Sequence, residues 1–338
     1  MQKRKDFLVS TTKQWNCGDE FIWYGIRNIM QAIGFKANYI LYNRHPSINP
    51  RPRLYRRNIL KKKIAEHQDN STPLEANDSF DGVIFAGTPE WEGPRLEPLF
   101  EIILRKKIPT FFLGIGWGGQ TQLSEDLKTI LKKTTRLVIG RDPHVVKLFS
   151  PYSDAHYEPC PSLFAVREKD MRRIERIQKI GFVFQGEQGR EHSVTKDVIG
   201  HMLQIYSEIK ERFDVLPIAH YVTDWSYGRD QVFGSDVRYS FVAEDYVEIY
   251  KDCDLIISTR IHACGLAASL GIPSICLPHD DRVDTVKGFK SLIINNKSKI
   301  LTQLKQVNVS RWAESIVKHK KKSFSRYKDQ VRGSLCGL

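Results

Sequence analysis

The chain has 338 residues, which is too many for one small hydrophobic core, so its length predicts two domains. Hydrophobic residues make up 41% of the sequence, and no apolar stretch approaches the roughly 18 residues that span a bilayer. These features exclude a membrane-spanning protein, and the net charge of +13 favours an anionic partner.

The N-terminus is basic and carries only a short apolar run, residues 7–9. This run is too short for a signal peptide and predicts a first core strand, so a cytoplasmic protein is expected. The six cysteines form no CxxC pair and no histidine cluster accompanies them. Neither a zinc site nor any other metal site is therefore predicted.

The first half of the chain alternates short apolar runs with segments of helical spacing. This alternation predicts a parallel α/β sheet. The predicted strands cover residues 7–10, 38–42, 81–86, 109–115 and 137–140. The predicted helices cover residues 19–33, 94–106 and 123–133.

Residues 44–77 interrupt this alternation, because they are polar, basic and broken by prolines. We interpret them as an excursion from the core of an N-terminal domain that covers residues 1–165. A basic helix is predicted at 167–179, at the start of a C-terminal domain that covers residues 166–338.

The C-terminal domain repeats the same architecture, which predicts two Rossmann-like domains that face each other across a cleft. Its predicted strands cover residues 180–185, 214–219, 254–258 and 274–277. Its predicted helices cover residues 194–212, 246–252, 261–270 and a basic tail at 300–330.

Three side chains that can bind anions follow neighbouring strands of the C-terminal domain. Arg260 and His262 come directly after the strand at 254–258 and open a helix, and Lys287 follows the next strand. A parallel sheet usually presents its ligand at this edge, against a helix N-terminus. Each residue alone could be a solvated surface group, but together they predict an anion site.

A glycine-rich loop follows the strand at 109–115, with glycines at 114, 116, 118 and 119. Glycines allow the backbone to approach a phosphate closely, although a tight strand-to-helix turn explains them equally well. The spacing is not GxGxxG and no ribose-binding carboxylate stands out, so NAD binding is not predicted. The sequence also lacks a Walker A motif.

Several motifs, taken in order, resemble the polysaccharide pyruvyl transferase family. The segment 16–20 (NCGDE) resembles the N-x-G-D loop of the family, and 109–119 resembles its glycine-rich strand and loop. Arg141 and Asp142 resemble its R-D pair. The segment 258–262 (STRIH) resembles its S-R-h-H signature, here written T-R-I-H, and Gly-Ile-Pro and Lys-Gly-Phe follow at 271–273 and 287–289.

The resemblance implies a GT-B-like fold and a specific reaction. The family transfers the pyruvyl group of phosphoenolpyruvate to two hydroxyls of a sugar, which gives a cyclic ketal. For this chain the acceptor would belong to a bacterial-type cell-surface polysaccharide or to its precursor on a polyprenyl diphosphate. Phosphoenolpyruvate would be a co-substrate, and no cofactor is expected.

The resemblance also implies roles for individual residues. His262 is the expected general acid, and His220, at another strand end, is the second candidate for that role. The implied catalytic residues are His262 and Arg260. The implied donor-binding residues are Arg141, Arg260, Lys287, Gly116 and Gly118. The candidate acceptor-binding residues are Asn16, Asp19, Glu20 and His220.

Two other functions remain open from the sequence. A GT-B glycosyltransferase with a nucleotide-sugar donor would share the fold and the cationic cleft, with Glu244 as the nearest candidate for a ribose ligand. A non-catalytic protein that binds an anionic polymer would need only the basic blocks at 51–63 and 318–328. These blocks also predict peripheral contact with an anionic membrane at its inner face. No nucleic-acid motif is present, so nucleic acid is not an expected partner.

Overall fold

A computed structural model describes most of the chain. The described residues are 4–12, 16–44, 53–55, 58–60, 80–89, 96–116, 122–186, 194–278, 281–294 and 300–336. Gly118 and parts of the excursion at 44–77 and of the block at 51–63 lie outside them.

The first domain is built on a parallel sheet with strand order β2-β1-β5-β6-β7-β8. Its strands are β1 (Lys5–Thr11), β2 (Ala37–Asn43), β5 (Gly82–Ala86), β6 (Thr110–Ile115), β7 (Thr135–Gly140) and β8 (Ala155–Tyr157). Two short strands between β2 and β5 form an antiparallel hairpin within the predicted excursion, β3 (Arg53–Tyr55) and β4 (Asn58–Leu60). The central strands are buried on both faces, which explains their continuous apolar runs.

Helices connect the strands of this sheet. They are α1 (Cys17–Ala32), α2 (Glu97–Lys106), α3 (Glu125–Lys133) and α4 (Pro143–Phe149). The Asn16 side chain caps α1 by accepting a hydrogen bond from the Gly18 amide. Along α1, the Asn28 amide donates to the carbonyls of Phe164 and Ala165 at 2.8 and 3.0 Å. The helix α1 is therefore fixed at its N-terminus and again near its C-terminus.

The second domain is built on a smaller parallel sheet with strand order β10-β9-β11-β12-β13. Its strands are β9 (Lys179–Val183), β10 (Asp214–Ile218), β11 (Leu255–Ser258), β12 (Ser274–Cys276) and β13 (Leu292–Ile293). Its helices are α5 (Lys196–Lys210), α6 (Val222–Tyr227), α7 (Asp245–Lys251), α8 (Ile261–Ser269), α9 (Asp284–Lys287), α10 (Ile300–Gln306) and α11 (Val309–Leu335). The predicted pair of parallel α/β domains is confirmed.

The helix predicted at 167–179 is wrong. The segment contains only a 3-10 turn, Glu168–Asp170, and is otherwise irregular up to the start of β9 at Lys179. Arg172 explains the difference, because its backbone amide donates to the Leu270 carbonyl at 2.8 Å and its guanidinium contacts Asp254 at 3.1 Å. These tertiary bonds hold the segment against the second domain and outweigh its helical propensity.

The tail that was predicted to be helical at 300–330 forms two helices, α10 and α11, and the long helix α11 packs on both domains. Lys320 is buried and its ammonium donates to the carbonyls of Val166 and Ser269 at 2.7 and 2.6 Å. Arg326 forms a two-point pair with Glu158 at 2.8 and 2.7 Å, and Phe324 packs edge-on against Phe164. The block at 318–328 was predicted to contact an anionic polymer or membrane, whereas its residues Lys320, Phe324 and Arg326 instead bind other parts of the fold.

No helix within the described ranges is both long enough and apolar enough to cross a bilayer. The two sheets meet near the start of α1 and the start of α8, and this junction contains the candidate site.

Candidate active site

The first turns of α1 and α8 face each other across the domain junction. Gly18 lies in the first turn of α1 and His262 in the first turn of α8. A Cβ atom at Gly18 would lie 2.2 Å from His262 Nδ1, so only glycine permits this approach. The N-x-G-D motif therefore contributes a close contact with the signature histidine, which its sequence position alone did not indicate.

Arg141 and His262 join the two domains directly. Nη1 of Arg141 lies 2.9 Å from Nε2 of His262. Because a guanidinium only donates hydrogen bonds, Nε2 must be the acceptor, and the ring proton of a neutral His262 is on Nδ1. Gly116 provides the space for Arg141, since a Cβ there would lie 2.3 Å from Arg141 Nε.

His262 is surrounded by positive charge. Burial lowers its pKa well below the ordinary value, and the cations Arg141, Arg282 and Arg260 lower it further. The imidazole is therefore neutral near pH 7 when no ligand is bound. A bound dianion would offset these charges and raise the pKa, which is what a general acid at this position needs.

Arg260 is largely buried beside a carboxylate that the sequence analysis did not identify. Its Nη2 donates to Asp224 Oδ2, and its guanidinium carbon lies 4.1 Å from the centre of the Tyr221 ring. The other oxygen of Asp224 accepts from the Gly186 amide at 2.9 Å. Asp224 lies in α6, a helix that was not predicted. Arg260 is thus held in place by a charge partner and an aromatic face.

Arg44 is a second, largely buried cation that the sequence analysis missed. Its Nη2 pairs with Asp19 Oδ2 at 3.1 Å and donates to the Ala86 carbonyl at 2.9 Å. It follows β2 directly and begins the segment that was interpreted as an excursion, although its side chain is only 11% exposed. The pKa of Arg44 is lowered by burial and by the nearby charge of Arg141. The same strand-end reasoning that selected Arg260 could have found it.

The candidate acceptor residues occupy structural positions. Asn16 caps α1, and the Asp19 carboxylate accepts from Thr12 Oγ1 at 2.7 Å as well as pairing with Arg44. Glu20 is only 5% exposed and accepts from the Tyr24 hydroxyl at 3.3 Å. An acceptor sugar cannot reach a carboxylate that is buried in this way, so Glu20 is corrected from an acceptor contact to a core residue.

His220 is also corrected. Its Nε2 lies 2.9 Å from the Tyr250 hydroxyl, and its ring packs edge-on against Phe21 and Tyr246. It is 4% exposed, and burial lowers its pKa well below the ordinary value. The ring of His220 therefore points into the core and not toward the domain junction. It does so even though His220 lies only two residues after the end of β10.

Lys287 lies at the rim and not beside the other predicted donor residues. It ends α9, its side chain is 65% exposed, and its Nζ pairs with Asp284 Oδ1 at 2.5 Å. The structure thus brings together Arg141, Arg260, His262 and Gly116, while Lys287 remains at the edge of the cleft. Arg282 lies just before α9, and its positive charge lowers the pKa of His262. The sequence analysis did not predict a role for it.

Comparison with solved structures shows the fold. A UDP-GlcNAc 2-epimerase from Neisseria meningitidis, bound to UDP-GlcNAc, matches with a TM-score of 0.53 and 10% identity, covering 99% of this chain and 100% of that one. An α-glucosyltransferase in complex with UDP and DNA matches with a TM-score of 0.54 and 8% identity, covering 98% and 100%. The UDP-GlcNAc 2-epimerase of Methanocaldococcus jannaschii matches at 0.51 and 9%, covering 90% and 92%. The predicted GT-B-like fold is confirmed.

Comparison with curated protein sequences finds no match. The family profile of the polysaccharide pyruvyl transferases does match, over residues 16–281. This range starts at the cap of α1 and contains Arg141, Arg260 and His262, the residues that meet at the domain junction. The match covers most of the chain, and the protein therefore belongs to the polysaccharide pyruvyl transferase family.

Proposed function

We propose that this enzyme transfers the pyruvyl group of phosphoenolpyruvate to two hydroxyls of a saccharide, where it forms a cyclic ketal. The observation that carries the proposal is the contact between Arg141 and His262 across the domain junction. Phosphoenolpyruvate has a phosphate, a carboxylate and a carbon that must be protonated. It therefore needs cations and a proton donor close together, and the junction provides both.

The cations around the junction fit a small, highly charged anion. Arg141 and Arg44 come from the first domain, while Arg260 and Arg282 come from the second. The N-terminus of α1 adds a partial positive charge beside His262. A donor bound between the domains would draw these groups together and favour closure of the cleft.

The proposed chemistry balances with His262 and the leaving phosphate as the proton carriers. In the proposed reaction, protonated His262 gives its proton to the methylene carbon C3, and C2 becomes electrophilic. One acceptor hydroxyl adds its oxygen to C2 and returns a proton to His262, and the C2–O bond to the phosphate then breaks with its electron pair leaving on the phosphate. The second hydroxyl adds to C2 and gives its proton to the departing phosphate, which completes the ketal.

The acceptor that we propose is a sugar of a cell-surface polysaccharide or of its precursor on a polyprenyl diphosphate. Such a precursor is carried by the inner face of the membrane, so we also propose that the enzyme works in the cytoplasm near that face. The family membership supports a saccharide acceptor, and the basic exposed face of α11 supports an anionic surface.

The test is release of phosphate from phosphoenolpyruvate in the presence of a panel of galactosides and mannosides, with mass spectrometry of the products. Phosphate release that depends on the glycoside, together with a pyruvylated product, supports the proposal. Release of UDP from UDP-sugars with no use of phosphoenolpyruvate would instead support a glycosyltransferase. Binding of acidic polymers without turnover of either donor would support a binding protein.

Removal of Arg141, Arg260 or Lys287 should weaken donor binding. Losing a charge-assisted contact to a bound anion costs about 2–5 kcal/mol, because the ligand charge is left unpaired. Titration of phosphoenolpyruvate against Arg141→Ala, Arg260→Ala and Lys287→Ala measures this. Arg136→Ala is the matched control, since Arg136 is an exposed arginine of the strand that leads to Arg141. Unchanged affinity in the first three variants would place the donor elsewhere.

A further inference from the structure

One exposed aromatic side chain lies near Asp284 and Lys287, where the second domain approaches the first. Tyr157 ends β8, the edge strand of the first sheet, and its side chain is exposed, at 45%. Its register partner on β7 is Gly140, and the next residue in the chain is Arg141. The amide of Glu158 donates to the Gly140 carbonyl at 3.1 Å, which fixes this register. Tyr157 therefore has a fixed backbone position next to the strand end that presents Arg141.

The second domain approaches Tyr157 from the other side of the cleft. A Cβ atom at Gly288 would lie 3.3 Å from the Cα of Pro159, so the segment after α9 packs closely against the segment after β8. His144 of α4 and Asp284 of α9 also meet here, with Nε2 and Oδ2 3.6 Å apart. This contact crosses from the first domain to the second.

The groups near Tyr157 are polar and accessible to solvent. His144 and Lys287 are exposed, and Asp284 is partly exposed. Burial raises the pKa of the Tyr157 hydroxyl, the charges of Asp142 and Asp284 raise it further, and Lys287 lowers it. The phenol of Tyr157 therefore stays neutral near pH 7.

We propose that Tyr157, His144 and Asp284 form the subsite for the sugar ring that accepts the pyruvyl group. This inference rests on the proposed function. An aromatic ring with one exposed face offers apolar contact to the less polar face of a hexopyranose. The carboxylate of Asp284 and the imidazole of His144 can exchange hydrogen bonds with its hydroxyls. The position next to Arg141 would bring two of those hydroxyls toward C2 of the donor.

The proposed subsite is built from residues of both domains. A sugar that touches Tyr157 and Asp284 at once would bridge the cleft, just as the donor does. It would also replace the direct contact between His144 and Asp284 with contacts of its own. Tyr157 contributes only a ring face, so its loss should affect the acceptor and leave the donor site intact.

The test compares Tyr157→Ala with Tyr157→Phe, which keeps the ring and removes only the hydroxyl. With the glycoside that gives the fastest phosphate release, Tyr157→Ala should raise KM for the glycoside roughly tenfold. KM for phosphoenolpyruvate should stay within about twofold of the wild-type value, and Tyr157→Phe should be close to wild type in both. A rise in KM for phosphoenolpyruvate alone, or no change for the glycoside, would overturn the proposal.

A binding measurement separates this proposal from the proposed reaction. Saturation-transfer NMR with p-nitrophenyl galactoside and mannoside needs no turnover and no phosphoenolpyruvate. Signal transfer in the wild type that is lost in Tyr157→Ala and kept in Tyr157→Phe would support the subsite even if no pyruvyl transfer were found. Equal transfer in the wild type and in Tyr157→Ala, or no transfer to either glycoside in the wild type, would reject it.

Discussion

His262 is a partly buried imidazole whose charge state depends on what else occupies the cleft. Burial and the surrounding arginines hold its pKa below the ordinary value in the ligand-free protein. The anionic donor would offset the arginine charges and so raise the pKa of His262. The donor would thus convert an imidazole that is neutral at pH 7 into one that can carry the proton for C3.

The prediction for His262 follows from that charge balance. Replacing it with Ala should lower kcat by roughly 10² or more, with a much smaller change in donor affinity. NMR titration of the His262 ring should give a pKa below the ordinary value without phosphoenolpyruvate and a higher value in its presence. Activity should accordingly decline as the pH rises through the pKa of the donor complex. A His262→Ala enzyme with normal turnover, or a ring pKa that ignores the donor, would contradict the assignment.

Asp224 is predicted to act through Arg260. Both of its carboxylate oxygens accept hydrogen bonds, one from Arg260 and one from the Gly186 amide. In Asp224→Asn one of these donors would face an NH₂ group instead, which leaves a buried donor unsatisfied and costs about 1–3 kcal/mol. Displacement of Arg260 should then raise KM for phosphoenolpyruvate roughly tenfold.

Asp230→Asn is the control for this variant, because Asp230 also pairs with an arginine, Arg229, but on an exposed surface. It should change neither stability nor kinetics measurably. Steady-state kinetics and thermal unfolding of both variants make the comparison. An Asp224→Asn enzyme that is less stable but keeps the wild-type KM for phosphoenolpyruvate would show that Asp224 only supports the fold.

At the scale of residues, the sequence predicts which side chains follow strands but not where they point. Arg260 and His220 both lie just past strands of the second sheet, yet Arg260 reaches the junction and His220 packs among aromatic rings. Arg44 and Asp224 were missed for related reasons. The first begins a segment whose composition suggested solvent, and the second lies in a helix without a clear apolar period.

The helix α11 should stabilise the fold through its buried residue Lys320. Lys320 is buried, and replacing it with Ala leaves the carbonyls of Val166 and Ser269 without their donor. The free energy of unfolding should fall by about 1–3 kcal/mol. Lys322→Ala, two residues along the same helix and exposed, should change it by at most about 0.5 kcal/mol. Urea unfolding measures both, and equal effects would contradict a buried role.

The pH dependence of the same variant checks the charge of Lys320. Burial lowers its pKa to about 7 in the folded state, below the ordinary 10.5 that it has when unfolded. Between these values the unfolded chain binds more protons, so this residue makes the folded state more stable as the pH rises. The wild type should therefore gain stability relative to Lys320→Ala between pH 7 and pH 9. A constant difference over this range would show that the ammonium stays charged.

Most elements could be predicted because their patterns are local. Buried strands such as β5 and β6 are continuous apolar runs, and α1 has apolar residues at helical spacing with glycine after its end. The segment 167–179 failed because its structure depends on Arg172 bonding to distant residues. The helix α6 was missed because Val222–Tyr227 is short and rich in β-branched and aromatic residues, which have lower helical propensity.

At the scale of the whole molecule, the site exists only because the two domains meet. Arg141 and His262 are 121 positions apart in the chain and belong to different sheets, and their contact depends on the packing of α1 against α8. The helix α11 contributes to the same packing through Lys320 and Arg326, which fix its position on segments from both halves. The motifs could be identified from the sequence, but the contact between them across the two domains is visible only in the three-dimensional structure.

The exposed face of α11 supports a final prediction, reversible attachment to an anionic membrane. Lys318, Lys322 and Arg332 are exposed on this helix, while Lys320 and Arg326 hold the fold and are left unchanged. Each cation near an anionic bilayer contributes on the order of 1 kcal/mol, which salt screens. The wild type should therefore sediment with vesicles rich in phosphatidylserine at low salt and should be released at high salt.

Reversal of Lys318, Lys322 and Arg332 to Glu should abolish this sedimentation, because the helix would then repel the vesicle surface. Activity on a short glycoside in solution should remain, because none of these side chains contributes to the cleft. Reversal of Lys106, Lys133 and Lys196, which are exposed elsewhere, changes the net charge by the same amount and should preserve sedimentation. Equal losses in both variants would mean that total charge and not this face matters. If the wild type does not bind vesicles at low salt, the basic face is better explained by direct contact with an acidic polysaccharide.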